Sequence, residues 1–335
     1  MKIGIVGLGF MGSTHLKAYS QVPGVELVAV SDPNPTLLDG DLSGIQGNLG
    51  GPGEKYDFSA LGRYTDWRDM LRDDNVEAID FCTPTFVHVE NAIEALQAGK
   101  HVLLEKPMAI RGADTDAMLE AAAKSGKTLM VAQVLRFFPA YKALRQAIQS
   151  GNVGKARMAT FRRRCAAPFW SKWMTDPEKS GGAIIDLLIH DIDFVLHTFG
   201  NPESVSAVGS EDLPKGVDVI TATLHYPDNL NVMIQGGWYH PQSFPFSMDY
   251  NVVCDDATFE FSSAGKEPTR YNADGSEAPL EVEAVDGYQS EIAYFVECAT
   301  TGKSPDFCPP HESAAGIKLA DKLKEARLKN GERIA

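Results

Sequence analysis

The sequence predicts an α/β protein. Its first part reads as a doubly wound parallel sheet and its remainder as an α+β domain on an antiparallel or mixed sheet. Three observations predict this. An apolar run, Ile3 to Val6, enters a glycine turn, Gly7-Leu8-Gly9-Phe10-Met11-Gly12, and a helix-compatible stretch follows. Short apolar runs then alternate with helical stretches as far as residue 130. Beyond it, strand-like runs succeed one another directly, joined by turns such as Pro227-Asp228-Asn229 and Asp255-Asp256.

In the first part, strands are expected at 2–6, 25–30, 77–82, 101–104 and 128–132, and helices at 12–21, 66–72, 87–98 and 112–125. Such alternation places helices on both faces of a parallel sheet. Ala98-Gly99-Lys100 and Ser125-Gly126-Lys127 read as helices ending in a left-handed glycine. Residues 39–56 break the pattern with Gly40, Gly44, Gly47, Gly50, Gly51, Gly53 and Pro52. A helix there would be poor, and the stretch reads as a mobile surface loop near a cofactor or as a plain solvated insertion. The second part offers a helix at 139–150, then strands at 155–165, 203–209, 217–226, 230–238, 247–254 and 257–261. Further helices are expected at 181–199, 287–301 and 311–329. The domains divide as 1–130 and 131–335.

At 335 residues the chain is long enough for two domains, and 44% hydrophobic content supports packed cores. A net charge of −14 argues against a nucleic-acid or acidic-membrane partner, each of which needs a basic footprint. The five cysteines, Cys82, Cys165, Cys254, Cys298 and Cys308, are scattered and form no C-x-x-C pair. That disfavours a disulfide framework or a zinc site and fits a reducing compartment. Met1 leads directly into the first strand, without a basic leader or an apolar run long enough to span a bilayer, so a cytoplasmic location is expected.

The opening unit carries chemistry. Gly7 permits a tight turn, Gly9 allows a pyrophosphate to approach the backbone, and Gly12 allows close helix packing. The helix start then offers N–H groups and partial positive charge to phosphates. Asp32 closes the second strand at the spacing a dinucleotide-binding βαβ unit requires. Its carboxylate suits the ribose hydroxyls of NAD and repels a 2′-phosphate, and no Arg or Lys stands beside it, which favours NAD over NADP. Lys106, in Val102-Leu103-Leu104-Glu105-Lys106-Pro107, falls at a strand end on the same sheet edge, or is a plain surface lysine there. Pro107 makes a cis peptide accessible. Asp186, His190 and Asp193 are spaced four and three apart and would share one helical face. His190 is a proton acceptor oriented by Asp186, or a core histidine satisfied by it. A metal reading lacks further ligands at suitable spacing, so no metal is expected. Thr83 and Thr85 could bond a ribose or phosphate, with Thr85 equally an N-cap. Phe10, Met11, Pro84, His88, Glu105 and Gln133 complete the expected cofactor contacts. For a substrate, Arg162 and Arg164 share a strand face, and Trp170 and Trp173 follow in a loop. The arginines hint at a charged substrate such as a sugar acid, or pair with acidic groups. Trp238, Tyr239 and His240 form a second candidate wall.

Together these motifs resemble one family. The Gly7–Gly12 turn, Cys82-Thr83-Pro84, Ala98-Gly99-Lys100-His101-Val102, Glu105-Lys106-Pro107, Arg136-Phe137, and Gly181-Gly182 through Asp186 and His190 occur in its order. It is the family of glucose–fructose oxidoreductase, inositol dehydrogenase and rhizopine-catabolism oxidoreductases (Gfo/Idh/MocA). The resemblance covers nearly the whole chain. It implies an N-terminal Rossmann domain and a C-terminal α+β domain with an open, mostly antiparallel sheet that serves self-association as a dimer or tetramer. It further implies Lys106, Asp186 and His190 as the catalytic trio, NAD as cofactor, and reversible hydride transfer with a secondary hydroxyl of a sugar, sugar derivative or inositol. An NAD-recycling glycosidase- or epimerase-like enzyme, or a non-enzymatic NAD-binding sensor, are the alternatives. The stretch after Asp32 is more glycine-rich than the family's usual helix, and the direct start argues against its exported members.

Overall fold

The structure is a computed structural model in which residues 1–47 and 53–335 are described. The chain forms two compact units, Met1–Val134 with Asp286–Ala314 and Leu135–Val285 with Ala315–Ala335.

The first unit runs β1 (Lys2–Val6), α1 (Phe10–Tyr19), β2 (Glu26–Ser31), β3 (Gly62–Tyr64), α2 (Trp67–Met70), β4 (Ala78–Phe81), α3 (His88–Gln97), β5 (His101–Glu105), α4 (Thr115–Ser125) and β6 (Leu129–Ala132). Its six strands are parallel, in the order β3-β2-β1-β4-β5-β6. Strand order reverses between β1 and β4, so the ligand crevice of such a sheet opens at the carboxyl ends of those strands. The central strands are mostly apolar because helices cover both faces, and Ile3, Ile5, Ile79, Phe81, Val102 and Leu103 are fully buried. Gly99 and Gly126 take φ of 79° and 65° at the ends of α3 and α4, as their positions predict. The edge strand β3 escapes the sequence reading: three residues, Gly-Arg-Tyr, make no apolar run.

In the glycine-rich stretch, Asn48–Pro52 lie outside the described residues. Around them, Asp41 and Lys55 form an antiparallel bridge, Tyr56 donates its N–H to the Gly40 carbonyl at 2.8 Å, and Leu42 is fully buried. These flanks are tied to the unit rather than loose.

The second unit begins with α5 (Pro139–Gln149), β7 (Ala156–Ala166), α6 (Pro177–Ser180), α7 (Ala183–Asp186) and α8 (Ile189–Phe199). Seven strands follow: β8 (Ser204–Asp212), β9 (Val217–His225), β10 (Asn231–His240), β11 (Ser247–Cys254), β12 (Ala257–Ser262), β13 (Lys266–Asn272) and β14 (Glu277–Pro279). With β7 they form one open sheet, β14-β13-β12-β11-β7-β10-β9-β8, antiparallel except for the β7–β10 pair. Strands β13 and β14 were not expected: they are polar edge strands, and Pro268 inside β13 reads as a strand breaker. Tyr141 of α5, Phe194 of α8 and Tyr250 of β11 meet edge to face, with centroids 5.0 and 5.4 Å apart around Tyr141, and form the aromatic centre of this core.

The chain then returns. Helix α9 (Gly287–Thr301) packs along α1, burying Ile292 and Phe295, and Gln289 Nε2 donates to the Gln21 carbonyl at 3.0 Å. The Cys308 thiol donates to the Val131 carbonyl of β6 at 3.3 Å. These contacts assign 286–314 to the first unit, whereas the sequence reading gave all of 131–335 to the second. Helix α10 (Pro310–Leu328) follows. No helix among the described residues is long and apolar enough to cross a membrane.

The single helix expected at 181–199 is broken. Leu188 N–H bonds back five residues to the Ala183 carbonyl at 2.8 Å, a π-type turn, and α8 restarts from Leu188. This resets the angular phase between Asp186 in α7 and the pair His190 and Asp193 in α8, so their spacing no longer puts all three on one face, and Asp193 is engaged elsewhere. Its fully buried carboxylate instead forms a bidentate pair with Arg136, at 2.7 and 2.8 Å. Replacing Arg136 with Met should lower the unfolding free energy by about 3–5 kcal/mol, because it strands a buried charge. Chemical denaturation should show much of that loss recovered in Arg136→Met/Asp193→Leu.

Candidate cofactor and catalytic site

In the first unit, the glycine turn is shaped by close approach. Gly7 has φ of 92°, and a Cβ there would lie 2.5 Å from the Cys82 carbonyl oxygen. A Cβ on Gly12 would lie 2.0 Å from the Gly7 carbonyl oxygen, so Gly12 lets α1 press against the turn itself. A Cβ on Gly9 would meet nothing within 4 Å, which leaves room beside the turn. Gly9 caps α1 without a side-chain bond, and Phe10 and Met11 open its first turn.

Asp32, only 8% exposed, accepts the Leu8 N–H at 2.9 Å and the Asn34 N–H at 2.8 Å. One oxygen serves each bond, so each keeps a lone pair for a ribose hydroxyl. Across the same sheet edge, Thr83 and Pro84 follow β4, Glu105 and Lys106 close β5, and Gln133 follows β6. Among the described residues, the enclosed Thr83 hydroxyl and both ends of the buried Gln133 amide have no hydrogen-bond partner. Enclosed polar atoms of this kind call for a partner, and a dinucleotide lying along the edge would supply one. The residues present therefore fit such a cofactor.

Two expected cofactor contacts serve other purposes. His88 is fully buried, with Nδ1 2.7 Å from the Pro107 carbonyl oxygen and Nε2 2.8 Å from that of Thr83. It fastens two loops together, and neither ring nitrogen faces a ligand. Glu105 has Oε2 accepting the Lys106 N–H at 2.9 Å and Oε1 3.2 Å from His15 Nε2. Thr85 is 2% exposed at the start of the turn leading into α3. The Lys106–Pro107 peptide is cis.

The sequence reading missed His15. It sits fully buried in α1 with Nδ1 2.7 Å from Asp80 Oδ2, and the Tyr19 hydroxyl donates to the same oxygen at 3.0 Å. A signal existed: Asp80 interrupts the otherwise apolar strand Ala78–Phe81, and a charge in a central strand needs a partner. Burial, the largest single influence, pushes the His15 imidazole down, but the charge of Asp80 and the contacts with Asp80 and Cys82 together push it up, and the net direction is up. Cys82 completes a His15–Asp80–Cys82 cluster of possible metal ligands. Burial holds its thiol up at about 12, and the 2.7 Å His15–Asp80 contact is a hydrogen bond.

In the second unit, Asp186 ends α7 and is buried, and His190 lies half-buried in the first turn of α8. The neighbouring Asp191 pairs with Arg163 at 2.7 Å. Arg162 and Arg164 do project from one face, but both are held by Asp249 across the sheet, at 2.6 and 3.1 Å. Cross-strand register sets this pairing, and it removes the reason to expect an acidic substrate. Trp170 is 46% exposed and Trp173 half-buried. Trp238 is core, 1% exposed, and cannot line a wall; His240 stacks on Phe244, with centroids 4.2 Å apart, and Tyr239 is exposed.

Residues 1–133 match the oxidoreductase family with an NAD-binding Rossmann fold, and residues 141–260 match the GFO/IDH/MocA C-terminal domain. The myo-inositol 2-dehydrogenase of Thermotoga maritima is 32% identical over 229 residues, covering 67% of this chain and 64% of that protein. The inositol 2-dehydrogenase of Salmonella typhimurium is 34% identical over 206 residues, covering 61% and 55%. The chain thus spans less than two thirds of the length of these curated relatives. Among solved structures, aldose-aldose oxidoreductase from Caulobacter crescentus, complexed with glycerol, superposes with a TM-score of 0.85 at 21% identity over 100% of this chain and 99% of that one. Levoglucosan dehydrogenase, in complex with NADH and levoglucosan, gives 0.82 at 19% over 100% and 98%. At these identities the likeness concerns the fold. Two successive domain matches, a parallel sheet in the 3-2-1-4-5-6 order and a glycine turn with its acid at the end of β2 agree that this chain belongs to the GFO/IDH/MocA oxidoreductase family.

Proposed function

We propose that the protein is an NAD-dependent dehydrogenase that moves a hydride reversibly between the nicotinamide and a secondary hydroxyl of a sugar, sugar derivative or inositol. The observation that carries this reading is the carboxyl edge of the first sheet. There the glycine turn, an anchored Asp32, the unpartnered Thr83 hydroxyl and Gln133 amide, and Lys106 stand together. The relatives named as inositol dehydrogenases support the substrate class.

Bound NAD supplies the hydride acceptor for oxidation of the alcohol. Gly9 and the start of α1 would hold its pyrophosphate, Asp32 its adenosine ribose, and Thr83 and Gln133 its remaining polar groups. In this reading His190 takes the hydroxyl proton, with Asp186 orienting the ring. Lys106 bonds the same oxygen and stabilises the charge that develops on it. The reverse assignment, with Lys106 as the proton carrier, uses the same three residues. Because Asp249 holds both Arg162 and Arg164, a neutral polyol suits the site better than a sugar acid. Trp170 offers an exposed apolar surface of the kind that packs on sugar rings. The outward side chains Met158, Val208 and Met233 of the second sheet support its use in self-association. The composition suits a cytoplasmic enzyme.

Replacing Lys106 with Ala should lower turnover by about two to four decades while leaving NAD affinity within a few-fold. Near-normal turnover with myo-inositol or the best substrate of a sugar panel would overturn the assignment. In the same assay, NADH accumulation is expected, and turnover without accumulation would point to the NAD-recycling reading. Thermal melts should show NAD stabilising the protein, by about 2.7 kcal/mol at a hundred times its Kd, and NADP stabilising it less at equal concentration. A larger shift with NADP would reverse the reading of Asp32.

A further inference from the structure

The first unit contains a buried group that the proposed reaction does not use. His15 lies between two acids on neighbouring strands. Its Nδ1 is 2.7 Å from Asp80 Oδ2 in β4, and its Nε2 is 3.2 Å from Glu105 Oε1 at the end of β5. All three side chains are nearly inaccessible, at 0%, 0% and 6%. Around them stand the Tyr19 hydroxyl on Asp80 and the Cys82 sulfur, 3.5 Å from Nδ1, while the Tyr288 ring of α9 lies 6.3 Å from the imidazole.

The second oxygen of Glu105 reaches the active segment. Oε2 accepts the backbone N–H of Lys106 at 2.9 Å, and from the far side His88 Nδ1 bonds the Pro107 carbonyl at 2.7 Å. The Lys106–Pro107 unit is thus held at both ends by buried side chains. A carboxylate can turn about its own bond. Its other oxygen, Oε1, faces His15 Nε2 at 3.2 Å in an ion-pair contact without hydrogen-bond alignment, so the imidazole confines the Glu105 plane by position and charge. A chain of contacts therefore runs from Asp80 in the sheet interior, through His15 and Glu105, to the backbone of Lys106.

We propose that His15 is a positioning residue for Lys106, acting through Glu105: by bridging Asp80 and Glu105 it fixes the carboxylate that holds the Lys106 backbone and so sets the direction of the Lys106 ammonium. This rests on Lys106 contacting the substrate oxygen, as proposed above. Its placement beside the glycine turn is a consequence of α1, which carries both, so the same helix that receives the cofactor also aligns the lysine.

Asparagine and glutamine at position 15 separate this from a merely structural role. The asparagine amide can stand in for Nδ1 and serve Asp80, whereas the glutamine amide can stand in for Nε2 and serve Glu105. If alignment runs through Glu105, His15→Asn should lower kcat about 100-fold, the size of an ångström-scale misplacement. His15→Gln should lose about tenfold or less, with NAD Kd within about threefold in both. A readout independent of turnover is the rate at which acetic anhydride modifies Lys106, followed by peptide mass spectrometry. It should rise at least about threefold in His15→Asn and stay near the wild-type rate in His15→Gln, as misplacement of the backbone frees the side chain. Melting curves accompany each variant. Should His15→Asn not fold, His15→Gln alone decides, since retained kcat with an unchanged labelling rate is expected of it. Wild-type kcat and labelling in the Asn variant would overturn the proposal, as would equal losses in both variants or a better Asn than Gln. Lys106→Ala, assayed in parallel, keeps the two claims distinct: its full activity would sink the role of Lys106, whereas its inactivity alongside a fully active His15→Asn would sink only that of His15.

Discussion

Two buried ion pairs fix helix α8, and the placement of His190 depends on them. Asp191 is held by Arg163 of β7 at 2.7 Å, and Asp193 by Arg136 at 2.7 and 2.8 Å. The two acids lie two positions apart, so they leave the helix at roughly 200° to one another. Arginines on two different elements therefore grip α8 from nearly opposite sides and fix its rotation. His190 precedes the first of these acids, and its direction follows from theirs. Such pairs do not need to stabilise the fold to serve this purpose. Burial pushes the Asp191 carboxyl above its ordinary value, and the Arg163 guanidinium opposes that only in part. The desolvation of this pair is therefore incompletely offset, and geometry is its main return.

The first unit follows the same logic with a histidine. Asp80 stands in the middle of a central strand, where an uncompensated carboxylate would be expelled or protonated. His15 meets it from α1 and meets Glu105 as well. In both units, then, charge is placed inside and matched inside, and each matched set lies within three residues of a side chain with a proposed role in the reaction.

Much of the first unit is legible in the sequence because parallel strands covered on both faces must be apolar, and glycine turns need glycine. The Gly7–Gly12 turn, the strands around it and the Asp32 position all follow from these rules. The polar edge strands β3, β13 and β14 carry no such signal, since half of their surface faces solvent. Periodicity failed at Leu188 for a different reason. A π-type turn needs no proline or glycine, so nothing in Gly-Gly-Ala-Ile-Ile-Asp-Leu-Leu-Ile-His marks it, yet one extra residue in a turn rotates all that follows. The return of 286–314 to the first unit is a property of packing between distant segments and is invisible to any local pattern.

Charged residues were the hardest to assign, and the reason is general. Sequence tells that a charge exists, not whether the fold has already answered it. Arg162, Arg164, His88, Glu105 and Asp193 each admit a functional reading in the sequence, the arginines equally a pairing with acidic groups, and every one has an intramolecular partner. Among the described residues, the buried side-chain groups without a partner beside the glycine turn, Thr83 and Gln133, are neutral, as is the backbone at the start of α1. Neutral donors and acceptors bind without the desolvation cost of a charge, and they discriminate by direction rather than by field. The fold thus uses most of its buried charges to hold elements in register, while the proposed function gives the neutral groups of the sheet edge, with Asp32 and Lys106, the task of meeting cofactor and substrate.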